Sequence, residues 1–215
     1  MQTALVAGAT GLVGKELINE LISDERFEKV IVLSRRQLAV SHPKLEVKLI
    51  DFDSLQDVNP EAKIDVCFCC LGTTQKKAGT EGRHKVDFEY VVELAKLCKQ
   101  HNINTFFVVS AQGADSKSGI SYSRSKGQME DAVKALELGT TYLVRPALIY
   151  GKRDEFRFGE KVAFYLNTLL IPILIGKLRK FRPVSGTKIA RCMVALSQKN
   201  QKGSFVIESD QILKY

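Results

Sequence analysis

The chain has no run that is both long and apolar. Its longest apolar segment, Val162 to Ile175, is broken by Asn167 and Pro172 and falls short of the about 20 residues a helix needs to cross a bilayer, so a buried helix is expected there. Histidine is scarce: only His42, His84 and His101 could join the five cysteines, Cys67, Cys69, Cys70, Cys98 and Cys192, as metal ligands. The cysteine number is odd, and reduced, mostly buried thiols with no metal are expected. No apolar h-region with a small-residue cleavage site precedes the first strand-like run, which begins at residue 3, and a cytoplasmic protein is expected. Internal repeats and low-complexity tracts are absent. At 215 residues the chain is long enough for one large domain and too short for two of typical size.

Charge excess is also missing from the first 150 residues, where 19 Lys/Arg meet 19 Asp/Glu. Residues 151–215 hold 13 against 5, so the whole net charge of +8 belongs to the last third. Either an anionic ligand or surface lies near that third, or it presents a solvated basic face.

What the chain does have is a glycine turn, Gly8, Gly11 and Gly14, directly behind the apolar run Thr3 to Ala7. The run reads as a buried strand, and Val13, Leu17, Ile18, Leu21 and Ile22 form one stripe of a helix over residues 11–23. In such a turn Gly8 lets the chain reverse, Gly11 lets a diphosphate approach bare backbone, and Gly14 lets helix and sheet pack closely. The helix N-terminus then faces a phosphate. The spacing G-x-x-G-x-x-G is less common than G-x-G-x-x-G, and an ordinary strand-to-helix turn is the plain alternative.

Further strand-like runs follow at Val30 to Leu33, Leu45 to Ile50, Ile64 to Leu71, Thr105 to Val109 and Tyr142 to Val144, with helical patterns between them. One helix centres on Val86, Tyr90, Leu94 and Cys98; another runs from Tyr122 to Leu138. Strands alternating with helices predict an α/β chain with a parallel sheet wrapped on both faces. Right-handed crossovers bring Gly8, Ser34, Gly72, Ser110 and Pro146 to one edge, where a ligand would lie. After Pro146 come a charged stretch, the apolar segment, a basic turn Lys177 to Arg182, a helix Thr187 to Ser197 and a short strand Ser204 to Ile207. Lys161, Lys177, Arg179, Lys180 and Arg182 flank apolar residues there, and peripheral contact with a membrane is the minor reading of that arrangement.

At the end of the second strand an acidic residue would accept from ribose hydroxyls and repel a 2′-phosphate. This chain has Ser34, Arg35 and Arg36 there, so NADPH/NADP is favoured over NADH, unless the two arginines are merely solvated. Asp51 and Asp53 past the third strand are candidates to border the adenine. Leu71, Gly72, Thr73 and Thr74 after the fourth strand leave room for the nicotinamide half and offer hydroxyls to ribose or phosphate, or cap the loop. The strand cysteines read as core residues, because nothing adjacent would lower a thiol pKa.

Tyr122 and Lys126 are four residues apart on one helical face. A phenol with pKa about 10 is a poor acid or base at neutral pH, and a nearby ammonium stabilises its phenolate. Ser110, twelve residues before the tyrosine, is placed to bond a carbonyl oxygen or the phenol. Such a set transfers a hydride to a carbonyl carbon and a proton from Tyr122 to its oxygen, with Lys126 also bonding ribose.

Together, Gly8-Ala-Thr-Gly11-Leu-Val-Gly14, Ser110 and Tyr122-Ser-Arg-Ser-Lys126 resemble the atypical branch of the short-chain dehydrogenase/reductase superfamily. The stretch from Cys69 to Gly82, followed by Val86-Asp87, resembles the subgroup of Tat-interacting oxidoreductase-like proteins and their bacterial relatives. The resemblance implies a Rossmann-type doubly wound parallel sheet with a small C-terminal substrate lobe: one NAD(P)-binding domain over residues 1–215, with a basic lobe of residues 151–203 inserted on it. It implies cofactor contacts at Gly8, Thr10, Gly11, Leu12, Val13, Gly14, Arg35, Leu71, Gly72, Thr73, Tyr122, Lys126 and Pro146, and catalytic Ser110, Tyr122 and Lys126. Many superfamily reductases carry a catalytic asparagine after the fourth strand; residues 81–100 contain none, and Asp87 and His84 occupy the region without replacing its role.

Two functions follow. One is an oxidoreductase reducing a small carbonyl or enone, with Arg153, Arg157, Lys177 or Arg179 drawing an anionic substrate; the other is a non-catalytic protein that senses NADPH and contacts a partner. Phe156, Phe158 and Phe181 among the cations are more simply core than base-stacking residues, and no nucleic acid is expected. No pattern requires an oligomer.

Overall fold

A strand flanked on both sides by parallel neighbours and covered on both faces has to be apolar throughout, and β1 (Gln2–Ala7) is buried from Thr3 to Ala7. The computed structural model describes residues 1–73, 75–151 and 174–215. In chain order the strands are β1, β2 (Phe27–Ser34), β3 (Leu45–Leu49), β4 (Val66–Cys69), β5 (Thr105–Val109), β6 (Thr140–Arg145), β7 (Ile149–Tyr150), β8 (Val184–Ser185) and β9 (Gly203–Glu208). The helices are α1 (Leu12–Ser23), α2 (Gln75–His84), α3 (Tyr90–Gln100), α4 (Ser121–Ala135), α5 (Gly186–Ser197) and α6 (Ser209–Ile212). Seven parallel strands stand in the order β3-β2-β1-β4-β5-β6-β9, a Rossmann-type doubly wound sheet whose strand order reverses between β1 and β4. β7 and β8 form a separate parallel pair.

The period of two along each strand sorts the core into two layers. Ala4, Val6, Val30 and Val32 lie with Leu17 and Leu21 of α1 and Ile189 and Met193 of α5. Leu5, Ala7, Ile31 and Leu33 lie with Leu94 and Cys98 of α3 and Met129 and Val133 of α4. On the first face, Phe68, Phe107, Tyr142 and Phe205 stack across four neighbouring strands, with ring centroids 5.0, 4.4 and 5.5 Å apart. Such a cross-strand ladder pins the register of β4, β5, β6 and β9.

Cys67 and Cys70 have a C-x-x-C spacing, but an odd separation along extended chain sends them to opposite layers. All five cysteines are free thiols. Burial pushes the thiols of Cys69 and Cys192 up to about 12, and those of Cys67 and Cys70 also upward, which suits packing and not nucleophilic attack. Among the described residues no group of three His, Cys, Asp or Glu side chains could hold a metal, and no helix is long and apolar enough to cross a membrane.

Several elements differ from the sequence expectation. The fourth strand ends at Cys69 rather than Leu71, although Cys70 still donates its N–H to Ala7 O at 2.8 Å before the chain turns away. The helical stretch expected around Val86 starts at Gln75, kinks at Gly79 (φ +68°) and passes through a π-helical turn, Lys85–Glu89, before α3. Of residues 151–203, the part from Gly186 builds α5, which packs on α1, and begins β9, which extends the sheet beside β6. Residues 152–173, with Arg153, Phe156, Arg157, Phe158, Lys161 and most of the apolar segment, lie outside the described residues, as does Thr74.

A Cβ on Gly14 would sit 2.1 Å from Gly8 O, whereas one on Gly11 would meet nothing nearer than Gly8 O at 3.4 Å. Gly14→Ala is therefore expected to destabilise the fold by about 1–3 kcal/mol, and Gly11→Ala by less than about 0.5 kcal/mol. Urea unfolding midpoints check the contrast, and equal midpoints for the two variants contradict it.

Candidate functional site

Because the strands are parallel, their C-terminal ends share one edge, and the β1–β4 reversal opens a crevice there. The turn after β1 borders that crevice. Gly8 adopts φ +86°, and a side chain there would also strike the Cys70 backbone, 2.4 Å from a built Cβ. Gly11 N donates to Gly8 O at 3.1 Å, closing the turn. Gly11 is then the N-cap of α1 and brings no capping side chain, so α1's first turn is not blocked from an outside anion. A Cβ there would make only ordinary contacts, with Gly8 O at 3.4 Å and Cys70 O at 4.0 Å, so no chain atom requires glycine. Thr10 is exposed and Leu12 half-buried at this entrance. Val13 is buried in the core, so it can meet a ligand only through its backbone.

At the end of β2, Ser34 is buried and exchanges hydrogen bonds with Arg36: its Oγ donates to Arg36 O at 2.7 Å and accepts from Arg36 N at 3.2 Å. This local turn holds Arg35 and Arg36 outward, exposed, with no carboxylate paired to either among the described residues. Asp51 is already occupied as a cap, its Oδ1 accepting from Asp53 N at 3.0 Å. Asp53 takes Lys85 Nζ at 2.6 Å and Tyr90 Oη at 2.9 Å, and these donors hold its carboxyl below the usual carboxylate range.

The loop after β4 is anchored by a residue that the sequence singled out only by region. Asp87 is buried and accepts from Thr73 N at 2.9 Å, tying the Leu71 to Thr73 loop to the π-helical turn. A π turn adds a residue to the helical repeat and rotates its side chains, here bringing Asp87 inward. His84 instead stacks on Phe88, centroids 4.9 Å apart, at the surface.

Helix α4 carries Tyr122, Lys126 and Glu130 at successive four-residue steps, a single face that runs from solvent into the core. Tyr122 is 41% exposed, Lys126 4% and Glu130 0%. No hydrogen bond or ion pair to the Lys126 ammonium occurs among the described residues. Ser110 Oγ donates to Glu130 Oε1 at 2.5 Å, and Arg145 grips the same carboxylate with Nε at 2.9 Å and Nη2 at 2.5 Å. The carboxylate holds the Arg145 guanidinium above its already high range. Ser110 was expected to hold a carbonyl oxygen or the phenol; its proton is instead directed to Glu130. Glu130 and Arg145 escaped the sequence reading, since a charged pair inside a core has no periodic signature; only the four-residue step from Lys126 marks Glu130.

Pro146, buried after β6, accepts from Gln112 N at 2.9 Å. Gln112 gives its side-chain N–H to Glu208 at 3.2 Å, and its Oε1 is buried without a donor, the only such side-chain atom among the described residues. Arg83 lies over the Tyr122 ring, its guanidinium carbon 5.8 Å from the centroid. The crevice thus combines a bare helix terminus, outward arginines and a buried lysine whose ammonium has no hydrogen bond or ion pair among the described residues. That donor set fits a dinucleotide.

The model of the NAD(P)H-binding family matches residues 8–163. Protein HTATIP2 of Rattus norvegicus is 34% identical over 166 residues, 75% of this chain and 69% of its own. Protein FMP52, mitochondrial, of Eremothecium gossypii is 33% identical over 214 residues, 98% of this chain and 95% of its own. Among solved structures, the Bordetella bronchiseptica enzyme WbmH in complex with NAD+ superposes with a TM-score of 0.73 at 15% identity, covering 97% of this chain and 76% of that one, a likeness of fold. The expected cytoplasmic location is corrected by the relatives' names, since the FMP52 proteins of several fungi are called mitochondrial. A strand-like run beginning at residue 3 does not separate cytosol from organelle.

Replacing Glu130 by Ala leaves the Arg145 guanidinium and the Ser110 hydroxyl without their acceptor. The expected loss of stability is about 3 kcal/mol, the low end for a broken buried pair because Arg145 keeps some contact with water. Glu130→Gln, which keeps an acceptor oxygen, should lose clearly less. Denaturant unfolding of both variants checks this, and equal small losses would contradict a structural role for the pair.

Proposed function

The chain belongs to the NAD(P)H-binding family, and from that premise we propose that it is an NADPH-dependent reductase of a carbonyl or enone compound. The observation that carries this reading is Lys126: a lysine 4% exposed, with no hydrogen bond or ion pair to its ammonium among the described residues, one helical turn from a solvent-facing phenol. The lysine stem is buried while its ammonium is not among the enclosed orphan atoms, so a ligand can reach and pair with it. Ribose hydroxyls and a developing phenolate are the groups it is placed to serve.

Gly8, Thr10, Gly11 and Leu12 would hold the diphosphate, Arg35 and Arg36 the 2′-phosphate, and Leu71 to Thr73, fixed by Asp87, the nicotinamide side. When bound there, the reduced nicotinamide supplies a hydride for the carbonyl carbon. The chain's own part is the proton: Tyr122 donates it to the substrate oxygen, and Lys126 faces the phenolate that remains. A half-exposed tyrosine can regain its proton from water after each turnover. Arginine's planar fork grips a phosphate with two bonds, whereas ribose hydroxyls gain little from it, so the β2 end favours the phosphorylated cofactor.

One observation favours the second reading, a non-catalytic protein that senses NADPH. Ser110 gives its proton to Glu130, and residues 81–100 have no asparagine to relay another. The relatives' printed names, HTATIP2 and FMP52, carry no reaction.

Tyr122→Phe separates the two readings. Oxidation of NADPH across a panel of carbonyl and enone compounds is expected in the wild type and should fall at least about 100-fold in the variant, the usual contribution of a general acid, while cofactor affinity is kept. No turnover in the wild type across the panel favours the sensor. A second expectation concerns the cofactor: Arg35→Ala with Arg36→Ala should weaken NADPH by about tenfold or more, from the worth of charged hydrogen bonds, and leave NADH nearly unaffected. Equal loss of both nucleotides would defeat the 2′-phosphate assignment.

A further inference from the structure

We propose that the short helix Gly176–Phe181 is a docking surface for a bilayer of anionic phospholipid, its apolar side chains entering the headgroup layer between cations that meet lipid phosphates. The proposal goes beyond the reductase reading and does not rest on it. Gly176–Phe181 is a 3₁₀ helix. With three residues per turn, side chains three apart in such a helix line up. Leu178 and Phe181 therefore share one side, 46% and 42% exposed, and Ile175 at the N-cap precedes them at the same step, 64% exposed. Lys177 and Lys180 repeat that step on one flank, and Arg179 stands on the other. Lys177 and Arg179 are exposed and have no hydrogen bond or ion pair among the described residues.

Polar bonds hold this turn in place. Arg182 Nε donates to Leu174 O at 2.7 Å, and Lys180 Nζ reaches Glu208 at 3.8 Å. Glu208 ends β9 and accepts from the Gln112 side chain, whose backbone N–H donates to Pro146 O. The turn thus stands at the carboxyl edge of the sheet, beside the crevice, with three large apolar side chains left in water.

Charge complementarity selects the partner. From residue 161 to residue 207 the sequence has nine Lys/Arg and no Asp/Glu, a stretch that draws an anionic surface. Ile175 and Leu178 decide which kind, because aliphatic side chains have no ring face on which a base could stack. The interfacial layer of a bilayer accepts apolar side chains and pairs cations with its phosphates. Among the described residues no helix is long and apolar enough to cross a membrane, so this contact is a peripheral one. In the sequence the cations merely flank apolar residues; the three-residue step is what joins them into one surface.

Co-flotation of the purified protein with vesicles of phosphatidylcholine containing about one-third phosphatidylglycerol tests this. The wild type should float with them and not with phosphatidylcholine alone, and binding should weaken as NaCl is raised to about 0.5 M. Lys177→Gln with Arg179→Gln should weaken it by about twentyfold, from about fivefold per cation near the surface. Leu178→Ser with Phe181→Ser keeps every charge and should still weaken it by about tenfold or more, the loss of two inserted side chains. The chain has no tryptophan, so Phe181→Trp supplies a single probe. Its fluorescence should shift to the blue on the anionic vesicles and be quenched by lipids brominated in their acyl chains. Unchanged unfolding midpoints show that the variants are folded, and failure of NADPH to bind would leave these expectations as they are. No flotation of the wild type with the anionic vesicles, full binding by the double serine variant, or a tryptophan that stays in water overturns the proposal.

Discussion

The contact between Gly14 and the Gly8 carbonyl governs the rest of the structure. It exists only because position 14 has no side chain: an added Cβ would fall 2.1 Å from that oxygen. The contact lets α1 leave β1 at close range, which in turn lets Leu17, Ile18 and Leu21 fill the layer over Ala4, Val6, Val30 and Val32. It also aims the uncapped end of α1 at the β1–β4 reversal. Packing and ligand approach therefore share one cause. The glycines nevertheless split the work, since Gly8 and Gly14 are required by the chain's own atoms and Gly11 is not. At Gly11 a side chain would make only ordinary contacts, with Gly8 O at 3.4 Å and Cys70 O at 4.0 Å.

The second organising feature is α4, where three polar residues at four-residue steps pass from water to core. Glu130 at the inner end is neutralised by Arg145 and Ser110 and fastens the helix to the ends of β5 and β6. Lys126, one turn outward, has no such partner among the described residues. Tyr122, another turn out, reaches solvent. A lysine packed by its stem, with its ammonium not enclosed, makes that helix face a candidate for chemistry, because a ligand can complete the charge. The Asp87 to Thr73 bond does for the β4 loop what Glu130 does for α4: a buried carboxylate consumes itself in holding a ligand-facing segment still.

Much of this was legible in the chain. Apolar alternation and the glycine turn disclosed the strands, their parallel arrangement and the edge where a ligand would lie, because buried parallel strands and strand-to-helix turns have strong local signals. Arg35, Arg36, Tyr122 and Lys126 were singled out as candidates the same way, by spacing relative to those elements. What stayed hidden depends on contacts between distant segments. Nothing local in Ser110 shows that its proton goes to Glu130 twenty residues on, and nothing in Arg83 shows that it will lie against Tyr122. The π turn that brings Asp87 inward adds one residue to a helical repeat, a change too small for periodicity to reveal. The cytoplasmic expectation failed for a different reason: the physics of the fold does not encode a compartment, and it is at odds with the FMP52 relatives, which are called mitochondrial.

The central claim is that the Gly8 to Gly14 turn receives the diphosphate of a phosphorylated pyridine nucleotide. Isothermal titration of the purified protein with NADPH and with NADH tests it directly. The account predicts saturable heat at one equivalent of nucleotide, with NADPH the tighter ligand. Absence of binding heat with either nucleotide would contradict it.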